Sequence, residues 1–270
     1  MERNKIYHGN CLDYFDQIEP ESIDLVFTDP PYIKALTDLY TDWNGRNMDF
    51  EVYGELYNRI LKDNGQVAIF ADFETAVAIT NCFQRYFKFK FYWIWQKPLG
   101  QPVNKSQPIL NTEMILVFAK KETKTKDLTF NWQSITTKGL PYKKDSNGGN
   151  ATRKNAPAYI TDNQTGARYP KQVLNYPAKC NMTADERQQH PTQKPEGLCG
   201  TVIKALSNKN DVILDTFAGS GSIPAAAYKL DRQFIGIEKE KKYYEMAKKR
   251  IDMENLSLFR DKSRILEKVS

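Results

Sequence analysis

The chain has 270 residues, of which 40% are hydrophobic and 27% are charged, and its formal net charge is +6. This size and composition are typical of a globular protein with room for one large α/β domain. No apolar run is long enough to span a membrane, the first residues lack the apolar region of a signal peptide, and the four cysteines show no CxxC spacing. We therefore expect a cytoplasmic protein without a disulfide framework or a zinc cluster.

The first part of the chain alternates between strand and helix patterns. Residues 4–8 predict a strand, Cys11–Ile18 one or two helical turns, and Ser22–Phe27 a buried strand that runs into TDPPY. The polar stretch Ile33–Asp49, which contains Trp43, predicts a loop. Next we predict a helix at Phe50–Leu61, a turn at Asn64-Gly65 and a strand at Gln66–Phe70. A second helix is predicted at Phe73–Tyr86, followed by two strands near a sheet edge, at Phe89–Trp95 and Met114–Phe118.

The middle of the chain is basic and has little periodicity. Residues 120–190 carry 13 basic and 6 acidic side chains. A structureless loop of this length is uncommon inside a compact domain, so we predict a small inserted module at residues 120–189. The charge suits a surface that follows a phosphate backbone, although a solvated loop would have the same composition. The candidate contacts to nucleic acid are Arg153, Lys154, Arg168 and Lys171.

Regular patterns return after the basic region. They predict a helix at Pro195–Leu206, a strand at Asp211–Leu214 and a glycine turn in DTFAGSGS. A helix at Ser222–Leu230, a strand at Gln233–Ile237 and a charged final helix from Glu240 to Glu254 are predicted after the turn. Alternating strands and helices predict a doubly wound α/β sheet, with residues 1–119 and 190–270 as its two parts. Ligands of such sheets bind beyond the carboxyl ends of the strands, where Asp29 and Asp215 are found.

The glycine turn, Asp215 to Gly221, follows a strand and opens a helix, so its backbone can approach a ligand closely. We expect Ser222 to cap that helix, and Glu238 at the end of the next strand suits the two hydroxyls of a ribose. A dinucleotide site would have GxGxxG, but Pro224 stands where the third glycine would be. S-adenosylmethionine therefore fits the turn better than a nicotinamide dinucleotide does.

The DPPY stretch predicts a rigid acceptor for an amine. Pro30 restricts Asp29 to an extended conformation, and the two prolines fix their own φ angles. The Asp29 carboxylate and a neighbouring backbone carbonyl can hold the two N–H groups of an exocyclic amine, N6 of adenine or N4 of cytosine. Tyr32 offers a face on which the base can stack, which stabilises a bound base by about 1–3 kcal/mol.

In the order of these blocks the chain resembles the β-class of S-adenosylmethionine-dependent DNA amino-methyltransferases. The matching stretches are SIDLVFTDPPY, YWIWQKP, NTEMILVFAKK, YPKQVLNYP, HPTQKPEGL, VILDTFAGSGS and RQFIGIEKEKKYYEMAKKRI. The resemblance implies a Rossmann-like methyltransferase fold, with a mostly parallel sheet, one antiparallel edge strand and an inserted target-recognition module. It also implies double-stranded DNA as the substrate, with the target base flipped out.

The resemblance also implies roles for particular residues. The catalytic and base-binding residues would be Asp29, Pro30, Pro31 and Tyr32. The residues that bind the methyl donor would be Asn10, Cys11, Thr192, Lys194, Pro195, Asp215, Phe217, Ala218, Gly219, Gly221, Ser222 and Glu238. His190 is more often structural than catalytic in such a position.

Several alternatives stay open at this point. An Asp at the start of DPPY favours N6 of adenine, while N4 of cytosine, an RNA substrate and a catalytically silent DNA-binding relative remain as alternatives. The intact DPPY motif and the two glycines of the turn argue against a catalytically silent relative. A homodimer and a cognate restriction endonuclease are both open as partners.

Overall fold

The computed structural model of the chain describes residues 1–33, 48–98, 105–106, 108–146, 159–179, 182–184 and 186–269. Most of the predicted loop Ile33–Asp49, with Trp43, lies outside the described residues, and so do Arg153 and Lys154. Within the described part of the chain, no helix combines the length and the apolar character that crossing a membrane requires.

The chain divides into two compact units, the first formed by Met1–Phe130 with Gln172–Ser270 and the second by Asn131–Lys171. The strands are β1 Lys5–His8, β2 Ile23–Thr28, β3 Leu61–Ala71, β4 Phe87–Gln96, β5 Thr112–Lys120, β6 Thr137–Lys138, β7 Tyr142–Ser146, β8 Tyr159–Asn163, β9 Ala167–Arg168, β10 Val173–Asn175, β11 Val212–Asp215 and β12 Gln233–Glu238. The α-helices are α1 Phe50–Ile60, α2 Phe73–Phe83, α3 Glu196–Leu206, α4 Ser222–Lys229 and α5 Lys241–Val269.

The first unit is built on an eight-stranded sheet with the order β1-β12-β11-β2-β3-β5-β4-β10. All neighbouring strands are parallel except at β5, which runs antiparallel to both β3 and β4. The mostly parallel sheet confirms the predicted fold class. The antiparallel strand is not at the edge, however, because β4 and β10 both lie outside it. The three residues of β10 are too few to give a strand pattern, so the sequence did not predict it.

Two further boundaries differ from the sequence prediction. The predicted turn at Asn64-Gly65 lies inside β3, where the register against β2 shifts between the pairs of Ile23 and Leu25, so these residues form an irregularity within one strand. The final helix continues to Val269 instead of ending near Glu254. The predicted starts of α1 and α2 are close to those found, and Asp49 and Asp72 cap these helices with their carboxylates.

The core lies on both faces of the central strands. Leu25, Val26 and Phe27 of β2 are fully buried, as expected for a parallel strand with helices on each side. The Phe27 ring stacks on Phe70 of β3 with 5.5 Å between centroids. Because this packing fixes β2 along its whole length, the DPPY segment that follows it starts from a rigid base.

The second unit, Asn131–Lys171, contains two small antiparallel pairs, β6 with β9 and β7 with β8. Arg168 ties this unit together, since its guanidinium lies 4.3 Å from the Tyr142 ring centroid and donates hydrogen bonds to the carbonyls of Leu140 and Gly166. Lys171 is exposed. The unit falls inside the predicted recognition region, 120–189, whose limits and role remain predictions.

Candidate functional site

The two motifs singled out in the sequence meet at the carboxyl ends of neighbouring strands. β2 pairs in parallel with β11, with Val26 opposite Leu214, so Asp29 and Asp215 lie at the same edge of the sheet. The buried Thr28 hydroxyl donates to Asp215 Oδ1 at 2.8 Å and lies 3.2 Å from the Thr216 hydroxyl. The DPPY segment and the glycine turn are therefore joined through the core.

A cavity of about 760 Å³ opens at these strand ends. Of the predicted catalytic and donor-binding residues, those that line it are Asn10, Cys11, Asp29, Pro30, Pro31, Tyr32, Thr192, Lys194, Asp215, Phe217, Ala218, Gly219, Ser222 and Glu238. Pro195 and Gly221 do not line it in the described part of the chain. The fold thus brings both predicted groups into one space, although most of the donor-binding residues lie at the opposite end of the sequence from DPPY.

Gly219 is required by the shape of the turn. Its φ is +50°, a left-handed conformation that favours glycine, and an added Cβ would lie 3.0 Å from Nε2 of His190. Burial and the nearby Lys194 lower the pKa of His190 to about 3, so its ring is neutral at neutral pH. The ring packs edge-on against Tyr243 at 4.4 Å. His190 therefore supports the wall of the turn.

Gly221 and Ser222 serve packing in this structure. Gly221 has φ +75°, and a Cβ there would lie 3.1 Å from both Cα and Cβ of Ala247, so the start of α4 packs closely on α5. The prediction that Ser222 caps α4 is wrong, because the N-cap is Gly221 and makes no side-chain hydrogen bond. The Ser222 hydroxyl instead lies 3.1 Å from Nη1 of Arg250.

Two carboxylates face the turn. Glu238 accepts hydrogen bonds from the backbone N–H groups of Gly219 and Glu240, each at 2.7 Å. A carboxylate offers about four lone-pair sites, so Glu238 can accept further hydrogen bonds from a ligand. Asp215 accepts from Thr28 and from the Phe217 N–H, and its burial raises its pKa to about 8.

Asn10 and Cys11 follow β1, next to Glu238, and have local partners. The Asn10 side chain accepts from the Leu12 N–H at 3.2 Å and caps the short 3₁₀ helix Cys11–Gln17. The Cys11 sulfur lies 3.4 Å from the Tyr53 hydroxyl, and burial raises the pKa of the thiol to about 11. Cys11 is therefore a neutral thiol at neutral pH.

The DPPY carboxylate belongs to a cluster of charged groups. Asp29 Oδ2 lies 2.7 Å from the Lys194 ammonium, and Asp29 Oδ1 lies 3.1 Å from the Tyr32 hydroxyl. Glu113 lies 2.8 Å from the same hydroxyl and 3.2 Å from the same ammonium, and its other oxygen pairs with Lys97. Lys194, predicted among the donor-binding residues, thus contacts the predicted catalytic acid directly.

Glu113 and Lys97 were not among the residues predicted for the site. Both belong to stretches that match the family, YWIWQKP and NTEMILVFAKK, so those stretches were the available signal. Their place follows from topology: β5 is antiparallel, so its first residues lie at the carboxyl ends of the parallel strands. Glu113 stands near the start of β5 and Lys97 just after the end of β4.

The cluster balances two cations against two carboxylates. Burial opposes the charge on Lys194, but Asp29 and Glu113 outweigh it and raise the pKa of the amine. Burial likewise opposes the ionisation of Glu113, but Lys194 and Lys97 outweigh it and hold the pKa of this carboxyl at about 2. For Asp29 burial prevails, and its pKa lies above the usual range, with the Glu113 charge raising it further.

Comparison with known proteins gives consistent matches. Residues 23–249 match the model of the N6/N4 methyltransferase family, described as DNA methylase. The DNA adenine methyltransferase YhdJ of Escherichia coli (strain K12) is 32% identical over 262 residues, 93% of this chain and 84% of that protein. The solved M1.HpyAVI–SAM complex has a TM-score of 0.61 and 24% identity, over 92% of this chain and 98% of the other. The PvuII DNA methyltransferase (cytosine-N4-specific) has a TM-score of 0.65 and 18% identity, over 93% and 86%.

The solved structures are similar to this chain in fold, and the family match adds the sequence. It begins at the start of β2, takes in the DPPY segment and the glycine turn, and ends within α5. The family match therefore includes every part of the cavity described above except the wall at Asn10 and Cys11. The E. coli protein is similar to this chain over most of both chains. The chain belongs to the DNA methylase family of N6/N4 methyltransferases.

Proposed function

We propose that this DNA methyltransferase transfers the methyl group of S-adenosylmethionine to the exocyclic N6 of an adenine flipped out of duplex DNA. One observation carries the proposal: the DPPY segment and the glycine turn line a single cavity and are joined by the hydrogen bond from Thr28 to Asp215. An amine held at Asp29 and a donor held at the turn would then meet in the same space.

Several features of the turn fit S-adenosylmethionine. Gly219 lines the cavity, and its left-handed φ of +50° gives the turn a backbone shape that a residue with a side chain rarely adopts. Glu238 keeps accepting capacity for the two ribose hydroxyls, and Asp215 offers a carboxylate for the cationic amine of the donor. The M1.HpyAVI structure, which has the same fold, was solved as a complex with S-adenosylmethionine.

On the acceptor side, this chain binds and orients the amine. The Asp29 carboxylate accepts one N–H, and a carbonyl of the proline pair accepts the other, which directs the nitrogen lone pair towards the donor. S-adenosylmethionine supplies an electrophilic methyl group, so nitrogen gains a bond to carbon while the electrons of the carbon–sulfur bond stay on sulfur. Flipping the base out costs a few kcal/mol, and stacking on Tyr32 offsets part of that cost.

Adenine is preferred over cytosine on two grounds. The first residue of the motif is Asp29, which in this class favours adenine, and the E. coli relative is a DNA adenine methyltransferase. The PvuII enzyme, which is specific for N4 of cytosine, shares the fold at 18% identity, so N4 of cytosine is the second candidate. A catalytically silent relative is disfavoured by the intact DPPY and glycine turn.

We further propose that the second unit and its flanks, within residues 120–189, read the DNA sequence. The excess of basic side chains there supports this role, and Arg153, Lys154 and Lys171 are the candidate contacts. Arg168 is tied to Tyr142, Leu140 and Gly166, so we expect it to act through the shape of the unit. A cytoplasmic location, a homodimer and a cognate endonuclease remain predictions.

The direct test uses purified protein, S-adenosylmethionine labelled on its methyl group, and plasmid DNA. We expect label to enter the DNA and modified adenines to map to one short sequence motif. Label at cytosine would favour the second candidate, and label in single-stranded RNA but not DNA would reject the DNA substrate. An absence of transfer with clear donor binding would identify a silent relative.

A further inference from the structure

Asp29, Tyr32, Glu113 and Lys194 form a closed ring of contacts. Starting at Asp29 Oδ1, the ring passes to the Tyr32 hydroxyl at 3.1 Å and on to Glu113 Oε2 at 2.8 Å. From Glu113 Oε2 it passes to the Lys194 ammonium at 3.2 Å and returns to Asp29 Oδ2 at 2.7 Å. The two oxygens of the Asp29 carboxylate thus contact the Tyr32 hydroxyl and the Lys194 ammonium, and Glu113 contacts both of these groups as well.

The ring has one hydrogen too few when both carboxylates are ionised. An ammonium can donate to both carboxylates, but a phenol hydroxyl carries one hydrogen and can donate to only one of them. The shorter contact of Tyr32 is to Glu113, so the hydrogen belongs there, and the contact to Asp29 Oδ1 has no hydrogen of its own. This oxygen therefore receives no hydrogen from within the ring and can accept one from another donor.

We propose that Asp29 Oδ1 receives the proton that the amine loses on methylation, and that Glu113 is the positioning residue that keeps this oxygen available by drawing the Tyr32 hydroxyl to itself. The inference rests on the proposed function, since it requires an amine to be methylated at Asp29. Tyr32 then has a second task besides stacking, because its hydroxyl completes the ring.

The proton step balances within this cluster. After methylation the nitrogen is cationic, and its N–H bond breaks with the electron pair remaining on nitrogen. An O–H bond forms at Asp29 Oδ1, and this new hydroxyl donates to the Tyr32 oxygen, while Tyr32 continues to donate to Glu113. Every contact of the ring then has a hydrogen, and the proton is later released to water when the product leaves.

The charges around Asp29 favour it over Glu113 as the proton acceptor. The groups that face Asp29 are Lys194, Glu113 and Tyr32, with Lys97 behind Glu113 and Asp215 on the donor side. Two ammonium groups hold Glu113 ionised, with its pKa at about 2, whereas the pKa of Asp29 is raised. A proton delivered to the ring therefore binds to Asp29.

The test measures single-turnover methyl transfer against pH, with saturating donor and DNA, for wild type and Glu113→Gln. In the variant the glutamine amide can donate to the Tyr32 oxygen, so the tyrosine hydrogen turns to Asp29 Oδ1 and occupies it. We expect the rate to fall by roughly 10²-fold, a loss typical of general acid–base groups. The acidic limb should move to lower pH, because the carboxylate that raises the pKa of Asp29 is gone.

Tyr32→Phe and a matched control complete the design. In the Tyr32→Phe background no hydroxyl can occupy Asp29 Oδ1, so Glu113→Gln should cost much less there than in wild type. Glu196 is the control, since it is also paired with two cations, Lys229 and Arg250, each at 2.7 Å. Glu196→Gln removes a comparable charge, and its acidic limb should coincide with that of wild type.

A second measurement does not depend on activity. Titration of Asp29 by NMR with a ¹³C-labelled carboxyl should show a lower pKa in Glu113→Gln than in wild type. An unmoved Asp29 titration, or equal rate losses in the wild-type and Tyr32→Phe backgrounds, would overturn the role of Glu113. Failure of the wild-type protein to methylate any DNA would instead overturn the proposed function, so the two failures are distinguishable.

Discussion

The residues of the candidate site differ in how far the sequence predicts them. The sequence indicates Asp29 to Tyr32 and the glycine turn as candidates because their signals are local. Adjacent residues are enough to predict a rigid turn or a close approach of the backbone to a ligand. Glu113 could not be predicted from spacing, because it lies 81 positions after Tyr32 and meets it only through the sheet. Lys194 was predicted in the site but on the donor side, since nothing local shows its pairing with Asp29.

Asp29→Ala tests the residue at the centre of the cluster. The substitution removes the proposed acceptor of the amine and leaves the residues of the glycine turn unchanged. We expect methyl transfer to fall by at least about 10²-fold while donor affinity stays near that of wild type. Glu2→Ala, which removes an exposed carboxylate paired with Lys5, is the control. A mutant that retains half of its turnover would exclude the role given to Asp29.

Gly219→Val tests the glycine turn. The left-handed φ of +50° and the 3.0 Å approach to His190 make any side chain there strained, so we expect weaker donor binding and lower stability. The control is Gly200→Ala, whose Cβ would meet Leu230 at an ordinary 3.6 Å, and a helical alanine is favoured by about 0.5–1 kcal/mol. Calorimetry that shows unchanged donor affinity in a folded Gly219→Val protein would count against the assignment.

At the scale of elements, the alternation of strands and helices was predictable, and the neighbours of each strand were not. Periodicity shows that β5 is a strand, but its antiparallel direction depends on pairings between distant parts of the chain. That direction has a functional consequence, because it brings Glu113 to the carboxyl ends of β2 and β3. The strand β10 was missed because three residues carry no pattern.

The strand end at Asp215 predicts how donor binding depends on pH. Burial raises the pKa of Asp215 to about 8, so at lower pH the free protein holds a proton there. In the proposed complex the cationic amine of the donor pairs with the ionised form of Asp215, so binding would have to displace that proton. Between pH 6 and 7.5 we expect affinity to rise with pH, by up to tenfold per unit.

Calorimetry in buffers of different ionisation enthalpy would measure the proton release directly. The matched variant is Asp215→Asn, which keeps the shape of the side chain and cannot ionise. We expect its donor affinity to be lower and to lose most of the pH dependence. A wild-type affinity that is constant between pH 6 and 7.5 would show that Asp215 does not pair with the donor.

The whole molecule consists of two compact units, and we propose that they have different tasks. The sheet of the first unit carries the cavity, and the basic stretch of the sequence contains the second unit, Asn131–Lys171. Charge and lost periodicity predicted a module at residues 120–189, and the second unit lies within those limits, which stay a prediction. The internal structure of the second unit was not predictable, because its antiparallel strands are short and carry little pattern. The contacts of Arg168 with Tyr142, Leu140 and Gly166 join parts of the unit that are distant in sequence.

Two substitutions in the second unit should differ in kind. Lys171→Ala removes an exposed charge, so we expect weaker DNA binding on all sequences and a salt slope reduced by about 0.9. Arg168→Ala removes the contacts to Tyr142, Leu140 and Gly166, so we expect loss of structure in the unit and of sequence preference. Binding titrations across salt concentrations measure the loss of phosphate contacts, and circular dichroism measures the loss of structure. Equal salt slopes for Lys171→Ala and wild type would show that Lys171 does not contact DNA.

The pair Arg153 and Lys154 belongs to the same test. If both contact phosphate, the double alanine variant should bind all sequences more weakly, with the salt slope reduced by about two. If one of them reads a base edge, discrimination against the wrong base should fall by about 1–3 kcal/mol. Donor affinity should not change in either case. A double variant identical to wild type in affinity, salt slope and preference would assign both charges to a solvated loop.

The central claim is that the cavity joining DPPY to the glycine turn methylates N6 of adenine in DNA. It is tested most directly by digesting treated DNA to nucleosides and identifying the methylated nucleoside by mass spectrometry, for wild type and Asp29→Ala in parallel. We expect N6-methyldeoxyadenosine from the wild-type reaction and none from the variant. N4-methyldeoxycytidine in its place, or equal N6-methyldeoxyadenosine from both proteins, would contradict it.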